Sequence, residues 1–433
     1  MSPALIGVLG LLLMLLLLAA SLPVAFVMGV VGVVGFAWVI NTPAALAMLS
    51  ADLHDVLSNY GLTVIPMFVF MGQVCFHAGI SRRLFRAAYH WMGWLPGGLA
   101  IATVGACAAF GAICGSGPAT AATMAAVALP EMRRFNYADS LASGVVAAGG
   151  GLGMLIPPSV VFIVYGVLTE QSIGKLFIAG ILPGLLVAAL FGLVILAQCL
   201  RDPARGPAAP RFPLRARLAS LKGVIETLLL FALVMGGMFA GWFTPTEGAA
   251  VGAAGSLAVA AAGGSFTWRL LWRAAQETVR TSCMVMIIVA GATVFGHFLA
   301  VTQIPSGLAA WLAALPLPAW MILLLIVAFY LVAGCFVDAL ALIMLTIPIF
   351  YPVVLQLGYE PIWFGVMIVL VTMMGAITPP VGVNVYVVSG MERDLSLQTV
   401  FRGAIPFLVA LLAAVALLML FPGIATWLPG LVR

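Results

Sequence analysis

The chain has 433 residues, of which 64% are hydrophobic and 7% charged; the mean hydropathy is +1.23 and the net charge +5. That balance reads as an integral membrane protein and excludes a nucleic-acid partner, because the lysines and arginines flank apolar stretches and form no basic stripe interleaved with aromatics. The six cysteines and four histidines are scattered without metal-ligand spacing, so neither a disulfide framework nor a zinc site is expected.

Apolar runs recur at 4–40, 61–80, 97–130, 138–169, 176–200, 223–263, 281–301, 319–355, 361–391 and 403–428. A helix needs about 20 residues to cross the hydrocarbon core, so the runs predict about ten to twelve spans, several of them folded back or broken. Ten-residue alternation is absent and lipid cannot satisfy open strand edges, so the fold class is all-α and polytopic. No positive residue precedes the first run. It reads as retained sequence with a turn at Ser21-Leu22-Pro23 rather than as a cleaved leader.

Arg82 to Trp94 mixes arginines and tryptophans with apolar residues at helical spacing and predicts an interfacial arm. The run 97–130 that follows has Arg82, Arg83 and Arg86 before it and Arg133 and Arg134 after it. Positive residues mark the cytoplasmic side, so both ends share one face and the run is a re-entrant hairpin. Its break is Cys114-Gly115-Ser116-Gly117-Pro118-Ala119-Thr120, with Ser116 or Gly117 as the N-cap of the restarted helix and proline in its first turn. The run 138–169 is interrupted at Ile156-Pro157-Pro158-Ser159. The glycines at 149–151 and 153 match no dinucleotide fingerprint and read as helix-packing or hinge positions.

Residues 201–222 are rich in proline and arginine and form a cytoplasmic linker between halves 1–200 and 223–433. Thr244-Pro245-Thr246-Glu247 is a capping box. Phe266 to Arg280 predicts a second arm, and His297 is the lone titratable group in 281–301, either a donor toward substrate or a packing histidine. A second hairpin spans 319–352, where Asp338 is the acid that interrupts the apolar stretch. Its flanks, Gln303 to Pro318 and Val353 to Pro361, hold no lysine or arginine, which places its mouth on the opposite face. The last break, within 361–391, is Thr378-Pro379-Pro380-Val381-Gly382-Val383-Asn384.

These breaks share one register. Adding 222 to Pro96, Pro130, Tyr137, Gly153, Pro157 and Pro158 gives Pro318, Pro352, Tyr359, Gly375, Pro379 and Pro380. Opposite charge placement on matching segments makes the halves inverted-topology repeats, the arrangement of secondary transporters whose site lies at the bilayer midplane. A Pro-Pro pair removes two donors and frees preceding carbonyls, which in lipid must find partners or ligate something. Freed carbonyls beside Ser, Thr, Asp and Asn oxygens suit a sodium ion, and the restarted helix N-termini favour an anion such as a carboxylate. The competing reading of any single break is a packing kink, and of Asp338 a plain N-cap.

At these residues the sequence resembles the large membrane subunit of tripartite ATP-independent periplasmic (TRAP) transporters of the dicarboxylate type. GSGPAT at 115–120, PEMRRFNY at 130–137, IPPS at 156–159, KLFIAGILPG at 175–184, FTPTEGAA at 243–250, VDALALIMLTIPIFYPV at 337–353 and TPPVGVN at 378–384 carry the likeness over nearly the whole chain. The resemblance implies a sodium-driven, elevator-type importer of an organic acid in a bacterial inner membrane. It also implies two partners: a small four-helix membrane subunit and a periplasmic substrate-binding protein. It places one sodium ion among Gly115, Ser116, Thr120, Ile156, Pro157 and Ser159, and another among Asp338, Thr378, Pro379 and Gly382. Substrate would meet Ser116, Pro158, Asn384 and His297. Many members carry a second serine where Gly117 stands, so here backbone carbonyls or Thr120 replace that hydroxyl. No cofactor beyond the coupling ions is implied.

A stand-alone sodium/dicarboxylate symporter of related architecture is the alternative. An intramembrane protease is disfavoured, since the spans supply no second carboxylate to face Asp338, no Ser/His pair and no HExxH helix.

Overall fold

The computed structural model describes residues 2–20, 22–209, 211–314, 317–392 and 394–431. Ser21 of the expected turn, Pro210 of the linker, and Leu315 and Pro316 of the second hairpin's flank lie outside them. The described chain is helical, without strands. Six helices are long and apolar enough to cross a bilayer alone, or seven if Asp139–Leu155 and Val160–Leu168, bent by 41°, form one span. Apolar helices such as Val24–Val39 and Gly98–Cys114 are shorter, so the breaks trim many runs to or below the usual crossing length.

The first hairpin is Gly98–Cys114 with Gly117–Arg134, and the first broken helix runs Asp139–Gly150, Leu152–Leu155 and Val160–Leu168. The second hairpin is Ala319–Gly334 with Ala339–Gln356, and the second broken helix is Pro361–Gly375 with Val383–Met391. The bounds Gly117–Arg134 shifted by 222 become Ala339–Gln356, and the other pairs match within three residues. These elements interlock crosswise. Val160–Leu168 packs on Ala339–Gln356, and Val383–Met391 packs on Gly117–Arg134. Leu397–Leu420 lies against Asp139–Gly150 so closely that a Cβ at Gly403 would fall 1.8 Å from the Ser140 carbonyl oxygen. Small residues permit such backbone contact where lipid gives helices no hydrophobic reason to associate.

Beside this bundle, Val24–Val39 packs on Trp268–Thr302 and Pro245–Ala262 on Val64–His77. Phe266 to Arg280 is therefore not a separate arm. It belongs to one unbroken 35-residue helix, Trp268–Thr302, with the run 281–301. In the 222 register the mate of the first arm, Ile80–Met92, is instead Ile304–Ala314. Each arm follows a left-handed residue, Gly79 (φ 72°) and Gln303 (φ 58°). Thr42–Ser58 and Val64–His77 correspond together to the single long helix. Two histidine–carboxylate contacts tie these elements: His77 Nε2 lies 3.4 Å from Glu277, and His297 Nδ1 lies 2.9 Å from Asp52. The capping box forms, Thr244 and Glu247 each bonding the other's backbone N–H.

The linker is woven into the fold. Gly97 N–H donates to Gly206 O, Ala138 N–H to Arg205 O and Ala209 N–H to Gly93 O, each at 2.9 Å. Tyr137 Oη accepts from Leu99 N–H and donates to Pro207 O. Burial pushes this phenol up to about 12, so it stays protonated and able to donate.

Candidate functional site

The first hairpin turns at Gly115, whose φ of 65° is a left-handed value that glycine adopts without strain. A Cβ there would also lie 2.7 Å from Pro158 O. The hairpin tip is thus seated on the first Pro-Pro turn, and Val160 N–H donates to Gly115 O at 3.3 Å. Ser116 is the extended N-cap of Gly117–Arg134, but its hydroxyl makes no capping bond. Its carbonyl accepts from both the amide (3.0 Å) and the hydroxyl (2.7 Å) of Thr120. Gly153 lets the broken helix approach: a Cβ would meet Thr120 Oγ1 at 2.5 Å and Ser116 O at 2.9 Å. Ser159 caps the restarted helix and donates to Met154 O, a carbonyl that Pro158 cannot satisfy. Gly115, Ser116, Thr120, Pro157, Pro158 and Ser159 therefore converge. The Ile156 side chain instead packs under Gly184.

The second tip repeats the stitching with other atoms. Val381 and Gly382 N–H groups point at Cys335 O at 3.3 and 3.4 Å, and Gly334 meets Gly375 backbone to backbone. Thr378 donates to Met374 O at 2.7 Å. Gly382 is left-handed, with φ 58°. Asp338 caps Ala339–Gln356, accepting from Leu340 N–H at 3.1 Å.

Both tips line one cavity of about 290 Å³: Gly115 to Ala119 on one side, Asp338 to Leu340 on the other. Both restarted helices begin at this cavity. None of its lining residues is cationic, and the Asp338 carboxylate makes no ion pair among the described residues. Asp338 is half-buried and has no counter-charge among the described residues, so the cavity is chemically suited to a cation next to it. The amide ends of two helices offer the complementary place for an anion.

Of the four substrate contacts expected from the sequence, Ser116 lines the cavity and the other three do not; Pro158 packs on Gly115 without joining the lining. His297 does not line the cavity; its ring lies on the long helix against Asp52. Asn384 does not line it either. Its side-chain amide is buried and donates to Ala147 O at 3.1 Å, leaving Oδ1 without a hydrogen-bond partner among the described residues. The cavity wall instead gains Gln73 and Thr281, polar residues on Val64–His77 and Trp268–Thr302. A lone amide in an apolar helix was the available signal for Gln73. Nothing in the sequence singled out Thr281.

A family model for the DctM component of tripartite ATP-independent periplasmic transporters matches residues 11–424. The chain belongs to this family. The DctM-component chain is 38% identical to the C4-dicarboxylate TRAP transporter large permease protein of Pseudomonas aeruginosa over 90% of its own length and 91% of the relative's. It is 33% identical to the sialic acid TRAP transporter large permease protein of Vibrio cholerae over 100% and 99% of the two chains. The crystal structure of the Alcanivorax borkumensis YdaH transporter aligns with a TM-score of 0.65 at 16% identity, covering 99% of this chain and 100% of that one, which is a likeness of fold. The DctM-component chain is thus a multi-pass membrane permease of a secondary importer and not an enzyme.

Proposed function

We propose that this permease imports a small organic acid into the cytoplasm, driven by sodium ions and delivered by a periplasmic binding protein, together with a small four-helix membrane subunit in a bacterial inner membrane. The observation that carries this reading is the meeting of both hairpin tips at one cavity that holds an unpaired carboxylate and the N-termini of two helices. Sodium would sit among Gly115, Ser116, Thr120, Pro157, Ser159 and the Ile156 backbone at the first break, and among Asp338, Thr378, Pro379 and Gly382 at the second. Hydroxyl, carbonyl and carboxylate oxygens are the ligands a hard monovalent cation takes. The acid group of the substrate would face the amides of Gly117 and Ala119, which the Ser116 hydroxyl leaves uncapped. Relatives named for C4-dicarboxylates and for sialic acid support the acid class.

The 222 register and the unequal charge of the two hairpin mouths support inverted repeats. Alternating access then follows from the hairpins and broken helices moving as a body against the long helices, an elevator-type cycle. The test is uptake into proteoliposomes carrying the chain with its small subunit and binding protein, under a sodium gradient alone or a proton gradient alone. Uptake under sodium only is the expected result; equal uptake under both would overturn the sodium assignment.

A further inference from the structure

A second cavity, about 530 Å³, lies between the arm Ile80–Met92 and the end of the first hairpin, away from the tips. Arg82 and Arg86, four residues apart, share one face of the arm and look across at Arg134 and Glu131. Arg82, Arg86 and Arg134 are exposed and make no salt bridge or side-chain hydrogen bond among the described residues. Three guanidiniums against one carboxylate leave the cleft positive, and like charges at helical spacing repel each other. Arg83, between them in sequence, points elsewhere, toward Glu226 and the end of Pro245–Ala262 at Gly263. Tyr89 and Phe212 close the cleft with aromatic surface, their rings 5.3 Å apart, and Val127 extends it along the hairpin helix.

We propose that this cleft binds the phosphate headgroup of an anionic phospholipid from the cytoplasmic leaflet, with Arg82, Arg86 and Arg134 around the phosphate and the acyl chains running down the apolar hairpin face. The cytoplasmic placement rests on the orientation drawn above from the arginine flanks. Basic pockets beside membrane helices on that face recognise anionic headgroups, and guanidiniums match phosphate oxygens in pairs. An amphipathic arm lying in the interface brings its cationic face to headgroup depth. Free inorganic phosphate offers the same oxygens, but it has no use for the aromatic and aliphatic walls. A lipid held here would fasten the arm to the hairpin end.

The full-length chain, purified in a neutral detergent, is titrated with phosphatidylglycerol, with phosphatidylcholine of the same acyl chains, and with inorganic phosphate. Bound lipid is counted by native mass spectrometry and the thermal unfolding midpoint is followed. Phosphatidylglycerol is expected to stay bound and raise the midpoint, and the triple variant R82Q/R86Q/R134Q to weaken that binding by more than about tenfold. R83Q should bind phosphatidylglycerol like the parent. If the triple variant does not fold, the parent protein decides: its preference for phosphatidylglycerol should fade between about 0.1 M and 1 M potassium chloride, as the screening length falls from about 10 Å to 3 Å. Equal retention of phosphatidylcholine, unchanged binding by the folded triple variant, a salt-independent preference, or a full midpoint shift from inorganic phosphate alone would each overturn the proposal. None of these readouts depends on transport or on the coupling ion.

Discussion

The two Pro-Pro interruptions occupy the same register yet sit in different surroundings. Every residue from Gly151 to Gly166 is buried, whereas Pro379 and Pro380 are exposed and Thr378 and Val381 half-buried. The difference comes from a covering helix rather than from the break. Ile173–Arg201 closes over the first turn because Gly180 and Gly184 admit it: Cβ atoms there would lie 2.5 Å from Leu155 O and from the Ile156 side chain. The residues 222 further on are Arg402 and Pro406, within Leu397–Leu420, and neither permits that approach. A repeated backbone motif thus fixes where a helix breaks, while small residues on another helix decide whether the break is sealed.

The largest expected effect contrasts the two left-handed glycines. Gly115→Ala adds a methyl 2.7 Å from Pro158 O in the sealed region, whereas at Gly382 the nearest neighbours are the Phe401 ring at 3.0 Å and Thr378 O at 3.2 Å. Forcing an L-residue into this conformation costs about 1–2 kcal/mol at either site. The clash should bring the Gly115 variant to more than about 3 kcal/mol. Thermal unfolding in detergent measures the gap, and equal midpoints for the two variants would break the comparison.

A smaller effect is expected in chemical access. In a Cys283→Ser background, which removes the exposed native cysteine, Pro380→Cys should react with a water-soluble maleimide more than about tenfold faster than Pro158→Cys, since thiol reactivity follows exposure. Similar rates would mean that both turns open alike.

The smallest effect on stability, with a specific effect on function, is expected at the tips. Asp338 occupies the position 222 residues after Ser116, so one tip carries an acid and the other a hydroxyl. Asp338→Asn should leave unfolding within about 0.5 kcal/mol of the parent, because asparagine caps almost as well. It should raise the sodium concentration needed for half-maximal uptake, because the charge facing the cation is lost. An unchanged sodium dependence would reduce Asp338 to a cap.

The sequence made the breaks legible because glycine, proline and capping residues act locally. The tips at Gly115–Ser116 and Asp338, the Pro-Pro turns and the Thr244–Glu247 box can each be read from a few neighbours. Packing across the chain was not legible. The long helix Trp268–Thr302 reads in sequence as an arm followed by a span because its charged and apolar parts differ in composition, and no glycine or proline separates them. His297 reads as available to substrate because its partner, Asp52, lies 245 positions away in sequence. Asn384 falls within a motif, yet it reaches sideways to Ala147 instead of toward the tips. Gln73 and Thr281 join the cavity only through the placement of the two long helices beside it.

The weaving of residues 205–209 through the mouth of the first hairpin bears on how the polypeptide can be divided. Gly206, Arg205 and Pro207 hold Gly97, Ala138 and Tyr137 through their carbonyls, and Ala209 holds Gly93 through its amide. Linker residues 205–209 are thus bonded to the first half. A gene split after Pro213 keeps each of these bonds within one fragment. A split before Asp202 hands this clasp to the second fragment, so that the first lacks the residues that tie the mouth of its hairpin.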